Sequence, residues 1–188
     1  MFCVVLLMAC NRETPVIPPL PPDSTSPTLA FEFVSVASTI RFVPFGDTLG
    51  NSVINKGYEI QLSDTTEKIL TACSGIVTAI VPDTSAAGGN LITIKFKRNS
   101  IYSFVYGGVT NVQVNLNDSL QGGSILGKIN GTGIVDFQVI MNNNVALCPS
   151  GYGSPGFNNA IQQAILFNNA SHHSDSVTNP CAASTLPY

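Results

Sequence analysis

Apolar and polar residues alternate along the middle of the chain, from about residue 90 to residue 141. In 92–96, 112–116 and 135–139, every second residue is apolar and the residues between them are polar. A period of two is that of a β-strand with one buried face. Asn-Gly, Gly-Gly and Asn-Asp pairs separate these segments, as tight turns require. The pattern predicts an antiparallel sandwich or open barrel, and no helical period competes with it.

Shorter strand signals precede this stretch. Residues 30–40 are predicted to form one or two strands, and 41–50 a turn-rich connection. Further short strands are predicted over 58–62 and 68–71, and 75–81 begins a hairpin. The Ser, Ala and Gly residues that follow residue 81 indicate its loop.

One helix is predicted, over residues 157–168 near the C-terminus. Ser154 can cap it, with Pro155 at its first position, and Ile161, Ala164 and Ile165 fall on one face. The polar tail beyond it is expected on the surface. The predicted fold class is therefore all-β with one short C-terminal helix.

Composition narrows the possible functions. A length of 188 residues favours one domain with a substantial core. Hydrophobic residues make up 44% of the chain and charged residues 10%, which is unlike a disordered protein. Eight basic against eleven acidic residues give a net charge of −3. This balance argues against nucleic acid as a partner.

The N-terminus resembles the end of a bacterial lipoprotein signal peptide. The apolar run Met1–Cys10, MFCVVLLMAC, ends in a small residue followed by a cysteine. The resemblance implies removal of residues 1–9, lipidation of Cys10 and an anchor in the membrane. One departure is that no Lys or Arg precedes the apolar run.

A proline-rich segment follows the predicted lipidation site. Residues 11–29 carry half of the chain's twelve prolines, among Ser and Thr. Because proline lacks a backbone donor, this segment cannot form a regular helix or sheet. An extended polyproline II conformation would reach roughly 50 to 60 Å. Residues 10–29 are therefore expected to be a tether, or alternatively a proline-rich ligand for another domain.

Several motifs together resemble the lysostaphin-type (LytM-like) zinc endopeptidases, which cut peptidoglycan cross-bridges. The strand Tyr102–Tyr106 is followed by LQGGSILG at 120–127 and VDFQV at 135–139, and NKGYEI lies upstream at 55–60. The resemblance covers roughly residues 40–141. It implies the duplicated hybrid motif as the fold, over a domain at 30–147, with a loop, helix and tail at 148–188.

The same resemblance identifies the positions of the family's catalytic centre. Asn55 and Glu59 stand where the family has a His-x-x-x-Asp zinc pair, and Ile134 and Asp136 stand at its His-x-His motif. Gly108 replaces the histidine that follows the conserved tyrosine. Zinc prefers nitrogen and sulfur ligands, and an alkyl side chain such as that of Ile134 cannot accept a proton from water. The resemblance therefore implies a degenerate member with no catalytic residues, no metal and no cofactor.

Other residues that could bind a metal or carry a cofactor have weaker support. Glu59 and Asp136 keep carboxylates, but two carboxylates and an amide supply too few oxygens for calcium. His172 and His173 are adjacent, and side chains of neighbouring residues rarely converge on one metal. Lys128 lacks the hairpin-tip setting of biotinyl and lipoyl carrier domains, which the chain also resembles.

Export would leave three cysteines, Cys73, Cys148 and Cys181. In an oxidising compartment two of these should pair, and a bond between Cys148 and Cys181 would fasten the polar tail to the domain. Cys73 lies in an apolar context typical of a buried thiol.

The sequence thus predicts a non-catalytic lipoprotein of the bacterial cell envelope. Its expected role is a scaffold or regulator, with an envelope protein or peptidoglycan as partner. Two alternatives are an active metallopeptidase with ligands from elsewhere in the chain, such as His172, and an envelope binding lipoprotein unrelated to peptidases.

Overall fold

The computed structural model describes residues 20–49, 52–171, 177–183 and 185–187. Within these ranges the chain forms thirteen strands, one α-helix and a 3-10 turn at Pro149–Tyr152. The elements are β1 (Thr39–Val43), β2 (Thr48–Leu49), β3 (Val53–Ile54), β4 (Tyr58–Leu62), β5 (Lys68–Leu70), β6 (Gly75–Pro82), β7 (Asn90–Lys95), β8 (Tyr102–Thr110), β9 (Ser119–Leu120), β10 (Ile125–Ile129), β11 (Ile134–Met141), β12 (Val145–Leu147), α1 (Pro155–Ser171) and β13 (Thr185–Pro187). No helix in the described part of the chain is long and apolar enough to cross a membrane.

Eleven of these strands form a single sheet in which every pairing is antiparallel. Its main path runs β1-β4-β11-β8-β7-β6-β9, while β10 pairs with β5 and β8, and β12 lies between β11 and β13. Strands β2 and β3 form a separate hairpin. The predicted all-β fold with one C-terminal helix is confirmed.

Aromatic side chains fill the core around Phe137, on the inner face of β11. The Phe137 ring stacks on Phe33 at 4.7 Å, and it lies 5.1 Å from the Tyr106 ring and 6.1 Å from the Phe157 ring. All four side chains are buried. Such pairs contribute beyond simple area burial, so this cluster fixes the helix and the irregular segment before β1 against the sheet.

The helix begins as its sequence predicts. The Ser154 hydroxyl accepts a hydrogen bond from the backbone N–H of Phe157 at 3.2 Å, and Pro155 occupies the first turn. At the other end, Asn168 Oδ1 accepts the backbone N–H of Phe42 at 2.9 Å. Because β1 is an edge strand, this contact covers an otherwise unpaired donor.

Two predicted strands are absent. Residues 30–38 are irregular, and the backbone N–H groups of Ala30 and Phe31 both donate to the carbonyl of Ala72, at 2.9 and 3.1 Å, rather than to successive residues of a neighbouring strand. Residues 112–116 form a loop, in which Asn115 N–H donates to Asp118 Oδ2 at 2.7 Å. In both places tertiary contacts and turn bonds replace the ladder that the alternation predicted.

The described end of the proline-rich segment lies against the domain. Leu29 is buried, and its N–H donates to the Tyr152 carbonyl at 2.8 Å. The Asp23 N–H donates to the Asn99 carbonyl at 2.7 Å. The expected reach of 50 to 60 Å is therefore too long, because residues 20–29 are held on the domain. The division at residues 9, 29 and 147 stays a prediction.

Candidate functional site

Three of the five degenerate positions, Glu59, Ile134 and Asp136, lie on one face of the sheet. Asp136 in β11 lies directly opposite Glu59 in β4 on one side and opposite Gly107 in β8 on the other. Directly opposed residues share a face of the sheet, so the two carboxyl groups are neighbours. Gly108 follows Gly107, and Ile134 lies two residues before Asp136 on the same face.

Asn55, the remaining degenerate position, has an amide that is fully hydrogen-bonded to the backbone. Its Nδ2 donates to the carbonyls of Val43 at 2.9 Å and Pro44 at 3.2 Å, while Oδ1 accepts the Gly57 N–H at 3.2 Å. The side chain is buried. Asn55 therefore ties the loop before β4 to the end of β1, as a structural amide.

The backbone at Gly108 leaves no room for a side chain. Its φ is +78°, in the left-handed region, and a Cβ there would clash with the carbonyl oxygen of Ile134. Its N–H donates to Asp83 Oδ2 at 3.2 Å. A histidine at this position would require a different local backbone.

The carboxylate of Glu59 forms an ion pair with Arg41. Arg41 Nη1 lies 2.6 Å from Glu59 Oε1, with 41% of the Arg41 side chain exposed but only 9% of the Glu59 side chain. Register pairing places Val43 opposite Glu59 and Arg41 opposite Gln61, so Arg41 reaches diagonally across the two strands. The guanidinium supplies the positive charge that stabilises a nearly buried carboxylate.

The Asp136 carboxyl lies beside negative charges instead. Burial, followed by the negative charges of Glu59 and Asp83, raises the pKa of the Asp136 carboxyl to about 7. Asp83 projects from the β6–β7 loop, where its Oδ1 accepts the Ser85 N–H at 2.8 Å. Three carboxyl groups and one guanidinium thus determine the charge of this site.

The residues at these positions do not fit the zinc ion that the resemblance implies. Asn55 offers an amide already bonded on both its atoms, and Glu59 is held by a guanidinium that would repel a cation. Asp136 is a half-buried carboxyl rather than an imidazole. Among the described residues, no three His, Cys, Asp or Glu side chains are grouped to hold a metal. His172 and His173 lie outside the described residues.

Tyr106, the tyrosine of the family motif, serves the core. It is fully buried, and its hydroxyl accepts the Ala72 N–H at 2.9 Å. Burial raises its pKa well above the ordinary value. The motif that carries the resemblance is therefore a packing feature in this chain.

Two members of the site, Arg41 and Asp83, are not indicated by any motif in the sequence. Arg41 falls in the segment predicted as a turn-rich connection, but it lies in β1, where TIRFV alternates weakly. Asp83 falls in the predicted loop after residue 81. The alternation around Arg41 could have indicated a strand, whereas the contact of Asp83 with Gly108 has no local sequence signal.

The structure describes three of the five cysteines, Cys73, Cys148 and Cys181. A disulfide joins Cys148 and Cys181, whose Cα atoms are 6.0 Å apart, and Cys181 also forms a bridge with Phe45. Cys73 is buried and free, and burial raises its pKa to about 12. A thiol in this state is unreactive at neutral pH.

Comparison with known proteins gives structural matches only. No family model and no curated protein sequence matches the chain. The antimicrobial peptidase lysostaphin from Staphylococcus simulans matches with a TM-score of 0.54 and 16% identity, covering 72% of this chain and 55% of lysostaphin. The chain thus spans about half the length of lysostaphin.

Two further solved structures match over nearly their whole length. The catalytic domain of the prophage-encoded M23 protein EnpA from Enterococcus faecalis, a point mutant, has a TM-score of 0.51 and 18% identity, with 63% of this chain and 94% of that chain covered. A chain of the SpoIIQ–SpoIIIAH pore-forming complex has a TM-score of 0.53 and 16% identity, with 69% and 93% covered. At these identities the likeness establishes the fold alone: the chain carries an all-β domain with the architecture of lysostaphin-type (M23) peptidases.

Proposed function

We propose that this protein is a non-catalytic envelope lipoprotein whose peptidase-like domain acts by contact with another envelope component. One observation supports this most: the four positions where the family carries imidazole hold Asn55, Gly108, Ile134 and Asp136. The Gly108 backbone has no space for a side chain, and the carboxylate of Glu59 is bound to Arg41.

The chemistry of peptide hydrolysis explains why these changes matter together. The reaction needs an activated water, a base to take its proton and a donor to the developing oxyanion. The Ile134 side chain has no polar atom, and Gly108 has no side chain at all. A single lost group can be compensated, but the joint loss removes each of the three functions.

A contact role is supported by the site's remaining surface. The sheet face around Glu59 and Asp136 is polar and acidic, and Ile134 is half-buried beside it. A chain of the same fold is part of the SpoIIQ–SpoIIIAH pore-forming complex, so the architecture occurs in protein assemblies. The proposed partners are an envelope protein or peptidoglycan, and the proposed role is a scaffold or regulator.

The proposed location is the membrane surface of the bacterial cell envelope, facing the periplasm or the cell exterior. The support is the Leu7-Met8-Ala9-Cys10 sequence, which lies outside the described residues. Cys10→Ser should move the protein from the membrane fraction to the soluble fraction, because stable attachment needs covalently bound acyl chains. Unchanged pelleting of Cys10→Ser would count against the anchor.

Binding to purified sacculi tests the contact role with peptidoglycan as the probe. We expect the wild-type chain to co-sediment with sacculi, or to be cross-linked to one envelope protein in intact cells. Ile134→Arg should weaken whichever contact is found, because it adds bulk and charge to the site. Leu116→Arg is the matched control, since Leu116 is exposed on a loop outside the site. Equal effects of both variants would contradict a role for this site.

A further inference from the structure

The N-terminal segment joins the domain at one end of the sheet, beside the β7–β8 turn. Asp23 and Ser100 form a parallel bridge, in which Ile101 N–H donates to the Asp23 carbonyl at 2.9 Å. Lys97 Nζ lies 2.9 Å from Asp23 Oδ2. Asn99 Nδ2 donates to the Pro21 carbonyl at 2.8 Å. The described part of the chain therefore begins at this turn, with Leu20.

Positive charge is concentrated at the same place. The basic turn, defined as Lys95, Lys97 and Arg98, holds three of the chain's eight Lys and Arg residues within four positions. Lys97 and Arg98 are exposed, and Lys95 is half-buried. Asp23 neutralises one of these charges through Lys97, which leaves a local excess of two positive charges in a chain of net charge −3.

An exposed apolar side chain lies beside the basic turn. Leu20 is 69% exposed, and together with Pro22, Lys95 and Arg98 it lines an open cavity of about 500 Å³. Asn142 and Asn143 line the same cavity. An exposed leucine surrounded by cations and amides suits the boundary between lipid headgroups and acyl chains.

Covalent geometry limits the distance from this surface to residue 10. Leu20 lies ten positions after Cys10, and a fully extended chain of that length covers at most about 35 Å. A domain of this size is about 40 Å across. An anchor at Cys10 would therefore keep the basic turn near the membrane. The anchor alone would not fix the orientation of the domain, so the charge of its surface would determine which side faces the lipid.

We propose that the basic turn and Leu20 form a membrane-facing surface that contacts anionic lipid headgroups when the chain is anchored through residue 10. This proposal depends on the lipid anchor at Cys10, which is part of the proposed function. Each Lys or Arg close to an anionic membrane strengthens attachment about fivefold. Dissolved salt limits this electrostatic attraction to about 8 Å at physiological ionic strength. Only a turn held close to the membrane surface is therefore attracted to it.

This orientation would point the candidate site away from the membrane. Tyr102 begins β8 next to the basic turn, and Gly108 lies six residues further along the same strand, about 20 Å away at 3.3 Å per residue. The face that carries Glu59 and Asp136 would then be presented to components beyond the lipid surface.

The test couples the chain that begins at residue 10 to a maleimide lipid through Cys10, in lipid nanodiscs. Cys73 is buried and Cys148 is bonded to Cys181, so Cys10 is the reactive thiol. Gadolinium-chelating lipids then broaden the amide signals of residues near the bilayer. Chemical coupling makes this test independent of lipidation in the cell, which the Cys10→Ser fractionation measures separately.

We expect the signals of Asp23, Arg98 and Asn143 to broaden more than those of Thr110 and Lys128, and more in phosphatidylglycerol discs than in phosphatidylcholine discs. The double variant Lys95→Gln/Arg98→Gln should lower the ratio of chains whose basic turn contacts the bilayer to chains whose basic turn does not by about 25-fold in the anionic discs, at about fivefold per charge. Its amide spectrum should otherwise match the wild type, because both substitutions leave the Lys97–Asp23 ion pair intact.

The matched control is Lys68→Gln/Lys128→Gln. It removes the same charge from an exposed cross-strand pair that lies beside Thr110, at the far end of β8. This control should keep the wild-type pattern of broadening. Uniform broadening, the same pattern in both lipids, or equal losses in the two double variants would overturn the proposal.

Discussion

Arg41 Nη1 lies 2.6 Å from Glu59 Oε1, and the pair links the edge strand β1 to the site on β4. The Glu59 side chain is nearly buried, so the guanidinium determines whether its charge is tolerated. In the family pattern this acidic position ligates zinc. Here an internal cation provides the counter-charge, and the carboxylate is not available to a metal.

Replacement of Arg41 tests this counter-charge. Arg41→Gln should lower the free energy of unfolding by about 1 to 3 kcal/mol, because it leaves a nearly buried carboxylate unpaired. The half-exposed position of Arg41 keeps the loss below that of a fully buried pair. Urea unfolding measures the effect, with Arg98→Gln as a surface control expected within about 0.5 kcal/mol.

The double variant Arg41→Gln/Glu59→Gln completes this experiment. Removal of both charges should recover much of the stability that the single variant loses, because no unpaired charge remains. If Arg41→Gln is as stable as the wild type, the ion pair has no structural role.

Stability should depend on pH through Asp136. Its folded pKa of about 7 lies above that of an unfolded carboxyl. Below about pH 4 the Asp136 carboxyl is protonated in both the folded and the unfolded state, so it does not change how the free energy of unfolding depends on pH. Between pH 4 and pH 7 only the folded state holds the proton, so stability falls as the pH rises, by up to about 4 kcal/mol above pH 7.

Asp136→Asn should remove this dependence. Urea unfolding at pH 5 and pH 8 should show the wild type losing stability relative to the variant at the higher pH. Parallel pH profiles for the two proteins would mean that Asp136 titrates in its ordinary range.

Two glycines offer a matched test of the Gly108 backbone. Gly108→Ala should destabilise the domain by about 2 kcal/mol or more, because the left-handed conformation and the clash with the Ile134 carbonyl both oppose a Cβ. Gly131→Ala should change stability by less than about 0.5 kcal/mol, since no atom lies within 4 Å of its added Cβ. Thermal unfolding compares the two, and similar melting temperatures would contradict the geometry at Gly108.

The disulfide should be detectable in protein taken from the envelope. Non-reducing peptide mapping should join Cys148 to Cys181, and Cys181→Ser should lose about 3 to 4 kcal/mol of stability on the chain-entropy account of a 33-residue separation. Cys73 should react with a thiol reagent only after denaturation. A map that joins Cys73 to either of the other two, or that finds all three thiols free, would refute this pairing.

The sequence predicted those elements whose signal is local. The bounds Tyr58–Leu62 of β4 agree with the prediction, and the Ser154 cap locates the start of α1, because alternation and capping depend on neighbouring residues. The segment 30–38 was wrong as a strand, because Phe33 is placed by stacking on Phe137, more than one hundred residues away. No local pattern encodes such a contact.

The residues of the candidate site also fall into those that a sequence motif locates and those that depend on distant contacts. Glu59, Asp136 and Gly108 were located from motifs, and the strand register brings them together. Arg41 and Asp83 were missed because their roles depend on contacts with Glu59 and Gly108, each formed across a sequence separation of more than fifteen residues. The charge balance of the site could not be predicted without those contacts.

The proposed function requires that this peptidase-like domain neither uses zinc nor cleaves peptidoglycan. The most direct measurement incubates the purified chain with cross-linked sacculi and zinc, alongside elemental analysis of the protein as isolated. We predict that the protein contains no stoichiometric zinc and that no soluble muropeptides appear. One zinc per chain together with muropeptide release, abolished by Glu59→Ala or by His172→Ala, would contradict the claim and show that ligands from elsewhere in the chain complete an active site.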